Sequence, residues 1–188
     1  MNAIAIQDES LFEMTLKATV NYDNIDFATR AAALLERVAL RVHEAMRWDV
    51  KPWRLDVLKQ SSLAEAARAE AVDADLIVFA LSKTHSLPPE LTVWLEHWEA
   101  HRQIQDPAVM ALFPGEHTTS TPLWHELEQF AGRHGLAFLS SHDVRENGDS
   151  MQFVHQLWQR RQPAAPAFGL LADPPHPPRP PRHWGINE

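Results

Sequence analysis

Cysteine is absent from the 188 residues of this chain. The chain can therefore form no disulfide, no thiolate metal site and no cysteine nucleophile. Only six glycines occur, in neither a GxGxxG nor a GxxxxGK[ST] arrangement, so a glycine-rich cradle for a nucleotide phosphate is hard to build. Basic residues number 17 against 25 acidic ones, and the formal net charge of -8 argues against binding to nucleic acid or to an anionic membrane.

Long apolar runs are also missing, because no stretch approaches the roughly 18 residues that a membrane-spanning helix needs. The first ten residues, MNAIAIQDES, lack the basic and apolar segments of a secretory signal. Apolar residues make up 45% and charged residues 22%, which is typical of a soluble globular domain. We therefore expect a cytoplasmic protein.

Two apolar periodicities open the chain. From Leu11 to Tyr22 apolar and polar residues alternate, which predicts a strand. After a polar corner, in which Asp23 or Asn24 can cap the next element, apolar residues recur every three or four positions and predict a helix. That apolar stripe consists of Phe27, Ala31, Leu34, Leu35, Val38, Val42 and Met46.

The rest of the chain repeats this alternation of strand and helix. Further strands are predicted over 48–55, 76–81, 108–113 and 136–139, and helices over 61–71, around 88–98, from 121 to a Gly135 cap, and over 150–161. Five alternations predict an α/β fold, a three-layer, doubly wound, parallel five-stranded sheet. Pro52 places the second strand at an edge, which favours the order 2-1-3-4-5.

One observation conflicts with that order. The first strand is central in it and should be covered on both faces, yet one of its faces carries Glu13 and Lys17. Either these two residues lie beyond the covered part of the sheet, or the predicted order is wrong.

The composition changes near Gln162, and three regions are predicted: an extension over 1–10, an α/β domain over 11–161 and a proline-rich tail over 162–188. Eight of the 14 prolines lie between Pro163 and Pro181, which favours polyproline II. The tail could dock on its own domain or on a twin subunit, bind another protein, or remain solvated. Its candidate contact residues are Pro177, Pro178, Arg179, Pro180, Trp184 and Ile186.

Ligands of such sheets bind at the carboxyl ends of the strands, where the strand order reverses. In this chain the reversal lies between the first and third strands. The loops there, together with the loop after the fourth strand, give the candidate ligand-binding residues Asn21, Asp23, Asn24, Ser82, Lys83, Thr84 and Gly115.

The segment Asp75–Ala80, DLIVFA, resembles the third strand of response-regulator receiver domains, which share the flavodoxin-like architecture. The resemblance covers roughly residues 11–161. Receivers place a phosphoryl-accepting aspartate where this chain has Ala80, and they keep an acidic pair after strand one where only Asp23 is near. They also keep a lysine where this chain has Phe113-Pro114. The resemblance therefore implies the receiver fold without its phosphoryl transfer.

Flavodoxins give a second comparison, because they hold the FMN phosphate in a Ser/Thr- and Gly-rich loop after strand one. The corresponding stretch here, VNYDNIDFA, contains no glycine, and Asp23 and Asp26 would repel a phosphate. The ending RHWGINE resembles that of small bacterial proteins of this layout, which carries no activity with it.

Among the 11 histidines, His97 and His101 have the four-residue spacing of metal ligands on a helix. The order H-W-E-A-H differs from the H-E-x-x-H zinc pattern, and a solvated helix face is the more natural interpretation. No metal and no cofactor is expected.

Two functional hypotheses remain. The favoured one is a non-catalytic binding or regulatory module that acts through protein–protein contacts, as a homodimer or with another protein, through its surfaces and tail. The alternative is a protein that binds a small molecule, flavin or nucleotide, with or without catalysis, at the carboxyl ends of strands one and three.

Overall fold

The computed structural model describes residues 14–82, 86–113, 121–140 and 148–161. Within these ranges no helix is long and apolar enough to cross a membrane. The five strands are β1 (Met14–Tyr22), β2 (Met46–Arg54), β3 (Leu76–Ala80), β4 (Ala108–Leu112) and β5 (Ala137–Ser140). The helices are α1 (Ile25–Val42), α2 (Ser61–Ala71), α3 (Pro89–His101), α4 (Pro122–Arg133) and α5 (Gly148–Arg161), and a 3-10 turn covers Val57–Lys59.

All five strands are parallel, in the order β2-β1-β3-β4-β5. The predicted flavodoxin-like arrangement is therefore confirmed. β2 is at the edge of the sheet, as predicted. An edge strand tolerates Pro52, which has no backbone N–H to donate to the ladder. β3 and β4 are buried at every position, because helices cover both of their faces.

Two apolar cores lie on opposite faces of the sheet. On one face α1 and α5 pack against a layer that includes Leu16, Ala18 and Val20 of β1. On the other face α2, α3 and α4 pack against Ile77 and Phe79 of β3. The largest buried side chains of the second core come from α3, where Trp94 and Trp98 are almost inaccessible to solvent. The protein thus has the three layers that the sequence predicts.

Lys17 resolves the conflict over β1. Its side chain is about half exposed, at 46%, and forms an ion pair with Asp73 at the amino-terminal end of the strand. The buried carboxylate of Asp75 accepts a hydrogen bond from the Lys17 backbone N–H at 2.9 Å. Lys17 therefore lies at the open end of the sheet, as the first explanation requires, and the strand order stands. Glu13 lies outside the described residues.

The prediction that the α1 stripe extends to Met46 is wrong. The helix ends at Val42, His43 adopts an extended backbone, and Met46 begins β2 opposite Met14. Met46 is nevertheless fully buried in the same core as the helix stripe. Its spacing fitted the helix because both elements bury residues under the same face of the sheet.

Two helix caps behave as predicted. Asn24 is the N-cap of α1, and its side-chain oxygen accepts the Asp26 backbone N–H at 2.9 Å. Gly135, just after α4, has a φ of 65°, a left-handed conformation that a side chain would disfavour. These residues therefore mark where α1 begins and where α4 ends before β5.

Candidate functional site

Asp23 joins the loops that follow β1 and β3. Its two carboxylate oxygens lie 2.8 and 3.0 Å from the backbone nitrogen of Ser82, and one of them accepts the Ser82 hydroxyl at 2.7 Å. Hydrogen bonds to a carboxylate are stronger than those between neutral groups. Asp23 therefore bridges the two loops at the crevice where the strand order reverses.

A cleft of about 610 Å³ opens beside this contact, toward the edge strand. It lies at the carboxyl ends of β1, β2 and β3, between the 3-10 turn, the start of α3 and α4. Its apolar lining consists of Leu55, Leu58, Leu81, Pro88, Leu91 and Leu123. Its polar lining consists of Asp23, Arg54, Asp56, Lys59, Ser86 and Glu90.

The floor of the cleft continues the sheet by one row. Leu55 and Leu81 extend the ladder, since their backbone N–H groups donate to Tyr22 and Leu112 at 2.8 and 3.0 Å. Because Trp53, Asn21 and Phe79 are neighbours across the sheet, the residues two positions later share their face. The row formed by Leu55, Asp23 and Leu81 therefore lies between the cleft and the row that contains Asn21.

The rim of the cleft carries a paired arginine. The Arg54 guanidinium contacts both carboxylate oxygens of Asp56, at 2.5 and 2.6 Å, and both side chains are more than half exposed. The hydrogen bond from Arg54 holds the pKa of Asp56 below its usual value of 3.8, and the same bond raises the pKa of Arg54. The guanidinium is thus already engaged, and Lys59 is the other cation at this rim.

Asn21 and Thr19 lie beneath the floor, on the same face of β1. Their side chains are 0% and 1% exposed. The Asn21 amide oxygen and nitrogen and the Thr19 hydroxyl have no hydrogen-bond partner in the part of the chain that the structure describes. Such atoms are rare in folded proteins, because a buried polar group without a partner costs about 1–3 kcal/mol.

The structure places the described members of the predicted site at three different positions. Asp23 and Ser82 meet in the crevice, Asn21 lies buried below it, and Asn24 is used as the α1 cap. Lys83, Thr84 and Gly115 lie outside the described residues. The same is true of the tail residues Pro177, Pro178, Arg179, Pro180, Trp184 and Ile186, so their roles remain predictions.

Sequence reasoning missed the side of the cleft that β2 and the 3-10 turn supply. The missed residues are Arg54, Leu55, Asp56, Leu58 and Lys59. Their signal is the stretch RLDVLK, a mixture of leucines and charges directly after a strand at the edge of the sheet. Attention to all carboxyl ends, and not only to those of strands one and three, would have found it.

The histidine pair on α3 does not form a metal site in the described ranges. The rings of His97 and His101 stack with centroids 4.2 Å apart, and Nδ1 of His101 lies 2.8 Å from the His97 carbonyl oxygen. No group of three or more His, Asp or Glu side chains suited to a metal ion occurs among residues 14–82, 86–113, 121–140 and 148–161.

No protein-family model matches the chain, and no curated protein matches it either. Among solved structures, the chain is similar to a flavodoxin-like domain from Synechococcus (TM-score 0.47, 13% identity), over 76% of this chain and 99% of that one. It is similar to a flavodoxin, WrbA-like protein from Agrobacterium tumefaciens (TM-score 0.46, 14% identity), over 77% and 99%.

A third similar structure is a mutant flavo di-iron protein from Thermotoga maritima, with a TM-score of 0.47 and 11% identity. The match covers 75% of this chain and 35% of that one, so this chain spans about a third of that protein. At these identities the likeness concerns the fold alone.

Proposed function

We propose that the protein is a binding module that takes a small, largely apolar molecule without a phosphate group into the cleft beside Asp23. The contact between the Asp23 carboxylate and Ser82 carries this proposal. In sheets of this order an anionic ligand would use the backbone N–H groups of these loops. Here the N–H of Ser82 already donates to a carboxylate of the chain.

Charge supports the same conclusion. Asp23 and Asp26 both lie at the amino-terminal end of α1, where a bound phosphate would otherwise be favoured by the helix dipole. A further negative group at this position would be repelled. The proposal therefore excludes the phosphoryl transfer of receivers and the phosphate-anchored flavin of flavodoxins.

The size and lining of the cleft support a small-molecule ligand. A volume of about 610 Å³ is within the range of roughly 300–1,000 Å³ of small-molecule sites. Five leucines form most of the apolar lining, and charged side chains stand at the rim. Such a site favours a compound with an apolar body.

A thermal-shift panel tests this proposal on the full chain. The panel contains FMN, AMP, inorganic phosphate and neutral aromatic fragments. Neutral fragments should stabilise the protein, by about 2.7 kcal/mol for a ligand at 100 times its dissociation constant, which corresponds to roughly 5–10 °C. Stabilisation by FMN, AMP or phosphate instead of the neutral fragments would contradict the proposal.

Two matched variants localise the binding. Glu90 lines the cleft, whereas Thr92, two residues further along α3, is exposed and does not. Glu90→Trp should obstruct the cleft and abolish the stabilisation, and Thr92→Trp should leave it unchanged. Equal loss in both variants would place the binding elsewhere.

Protein contacts through the tail are a second candidate function, favoured by a groove at the other end of the molecule. The groove, about 360 Å³, lies between α1 and the edge strand β2 and is lined by Leu40, Met46, Trp48 and Val50 among others. Trp158 of α5 stacks on His43, the residue that follows α1, with ring centroids 4.8 Å apart, so this part of α5 lies close to the end of α1. We infer that residues 162–188 pack there, on their own domain or on a twin subunit.

Hydrogen exchange on the full chain tests the packing of the tail. Leu40 lines the groove and is 59% exposed, whereas Ile25 is 62% exposed on the same helix and outside the groove. Leu40→Glu should remove protection of residues 162–188, and Ile25→Glu should not. A sedimentation mass that falls with Leu40→Glu identifies the twin subunit, and absence of protection in the unmodified protein would contradict the inference.

A further inference from the structure

Thr19 and Asn21 form a buried polar pair whose side chains have no hydrogen-bond partner among the residues that the structure describes. Both residues are on the face of β1 that α2 covers, and three of their polar atoms make no hydrogen bond within the described residues. The side chains that α2 buries on this side are Ala64, Ala67 and Ala71, which offer no polar atom. Valine and leucine would fill the same space at lower cost, so the polar pair calls for an explanation.

The position of the pair points to the cleft. Asn21 lies between Trp53 and Phe79 in the row directly below Leu55, Asp23 and Leu81, which line the cleft. Residues two positions apart along a strand are separated by about 7 Å. A small polar group of a ligand can therefore reach from the cleft floor to the row of Asn21. Of the two leucines in that floor, Leu55 is half-buried and Leu81 is buried.

We propose that the ligand of the cleft carries a primary carboxamide or lactam group, which displaces the Leu55 side chain and pairs with the Asn21 amide. This inference rests on the proposed small-molecule function. The Asn21 nitrogen donates to the ligand carbonyl, the Asn21 oxygen accepts the ligand N–H, and the Thr19 hydroxyl provides a further partner. A carboxylate cannot donate to the Asn21 oxygen, and burying its charge there without a cation would be unfavourable.

Three probes of one size distinguish these cases: benzamide, benzoate and acetophenone. Each is added to the ¹⁵N-labelled full chain, and the side-chain NH₂ signals of Asn21 are followed by NMR. Benzamide should shift these signals and bind about tenfold more tightly than acetophenone, which offers an acceptor but no donor. Benzoate should bind more weakly than either.

Two variants separate recognition from folding. Asn21→Leu and Thr19→Val should raise the melting temperature of the free protein, because each removes an unpaired polar group. Asn21→Leu should weaken benzamide binding about tenfold more than acetophenone binding, because benzamide loses two hydrogen bonds and acetophenone only the one that its carbonyl accepts. Thr19→Val, the smaller change, should weaken benzamide binding even if the Asn21 variant folds poorly. Thr15→Val is the control, since Thr15 is exposed on the same face of β1.

The outcomes distinguish this inference from the proposed function. Equal affinities of benzamide and acetophenone, unaffected by either variant, would overturn the carboxamide inference and leave the cleft as a binding site. Asn21 signals that show contact with water but no response to benzamide would identify a buried water only, and would also overturn it. Failure of every neutral probe to bind would overturn both proposals.

Discussion

The two faces of β1 differ at nearly every position. Leu16, Ala18 and Val20 point to one side and are all buried at 1% exposure or less among side chains of α1 and α5. On the other side Lys17 is exposed and ion-paired at the beginning of the strand. The same side then carries a buried polar pair and ends at Asp23, which is bound to Ser82.

This difference separates two roles within nine residues. The apolar face supplies stability, because every side chain on it removes apolar area from water. The polar face lowers stability, because the side chains of Thr19 and Asn21 are buried without a hydrogen-bond partner in the described part of the chain. Natural proteins depart from good packing mainly at functional sites, so the polar face fits the binding role that we propose.

The largest effect is expected from breaking the apolar face. Leu16 is fully buried and lies at the end of β1 distant from the cleft. Leu16→Ala should lower the free energy of unfolding by about 2–5 kcal/mol, since it removes buried methyl groups and leaves a cavity. Chemical denaturation measures this change. The affinity of the folded variant for the cleft ligand should be the same as that of the unmodified protein.

Thr15→Ala is the matched control for this variant, because Thr15 is the exposed neighbour of Leu16. It should change stability by no more than about 0.5 kcal/mol. A comparable loss in both variants would show that the two faces do not differ in the way described.

An intermediate effect is expected at the carboxyl end of the polar face. Asp23→Asn keeps the shape of the side chain but removes the charge that binds the Ser82 N–H and hydroxyl. Unfolding should become easier by about 1–3 kcal/mol, the range for hydrogen bonds to a charged group. The Ser82 amide signal in an NMR spectrum should move as well.

Asp26→Asn controls for the loss of negative charge near the start of α1, where Asp26 is exposed. Its cost should stay within about 0.3–1 kcal/mol, the interaction of an exposed carboxylate with the helix dipole. If the two variants cost the same, the crevice is not closed by the contact that the structure shows.

The smallest effect concerns the rim and depends on pH. The pKa of Asp56 is lowered from 3.8 by its hydrogen bond with Arg54, so folding favours the ionised form. The contribution of this ion pair to folding stability is therefore fully present above pH 3.8. It is lost as the pH falls through the lower pKa that Asp56 has in the folded state. It should be slight, because both side chains are exposed.

An NMR titration of the Asp56 carboxyl carbon measures this shift directly. Arg54→Gln should return the pKa of Asp56 to its usual range, whereas Arg47→Gln, on the same edge strand but at its other end, should not move it. An Asp56 pKa that is normal in the unmodified protein would show that the ion pair does not persist in solution.

The fold could be predicted from the sequence because its signals are local and repeated. Alternation in β1, unbroken apolar runs in β3 and β4 and proline at the edge strand each follow from the environment of the strand. The end of α1 could not be predicted from the spacing of apolar residues, because Met46 enters the same core from the next strand.

The strand order could predict which residues meet at the carboxyl ends of β1 and β3, but not how their side chains pair. The reversal of strand order indicated Asp23 and Ser82, and the structure joins them. Nothing in the sequence shows that Asp23 would satisfy Ser82, or that Asn21 would be buried without a partner. The first fact is a contact between residues 59 positions apart, and the second depends on every side chain packed around Asn21, so a local periodicity encodes neither.

Pro52 has a consequence beyond the order of the strands. It stands exposed on β2 next to Lys51, so the outer edge lacks one N–H and carries a charge. Another strand that approached this edge would meet an interrupted ladder and the charged side chains of Lys51 and Asp49, which form an ion pair at 3.1 Å. The sheet therefore resists growth by edge-to-edge addition on this side, and molecules at high concentration are protected from polymerising through β2.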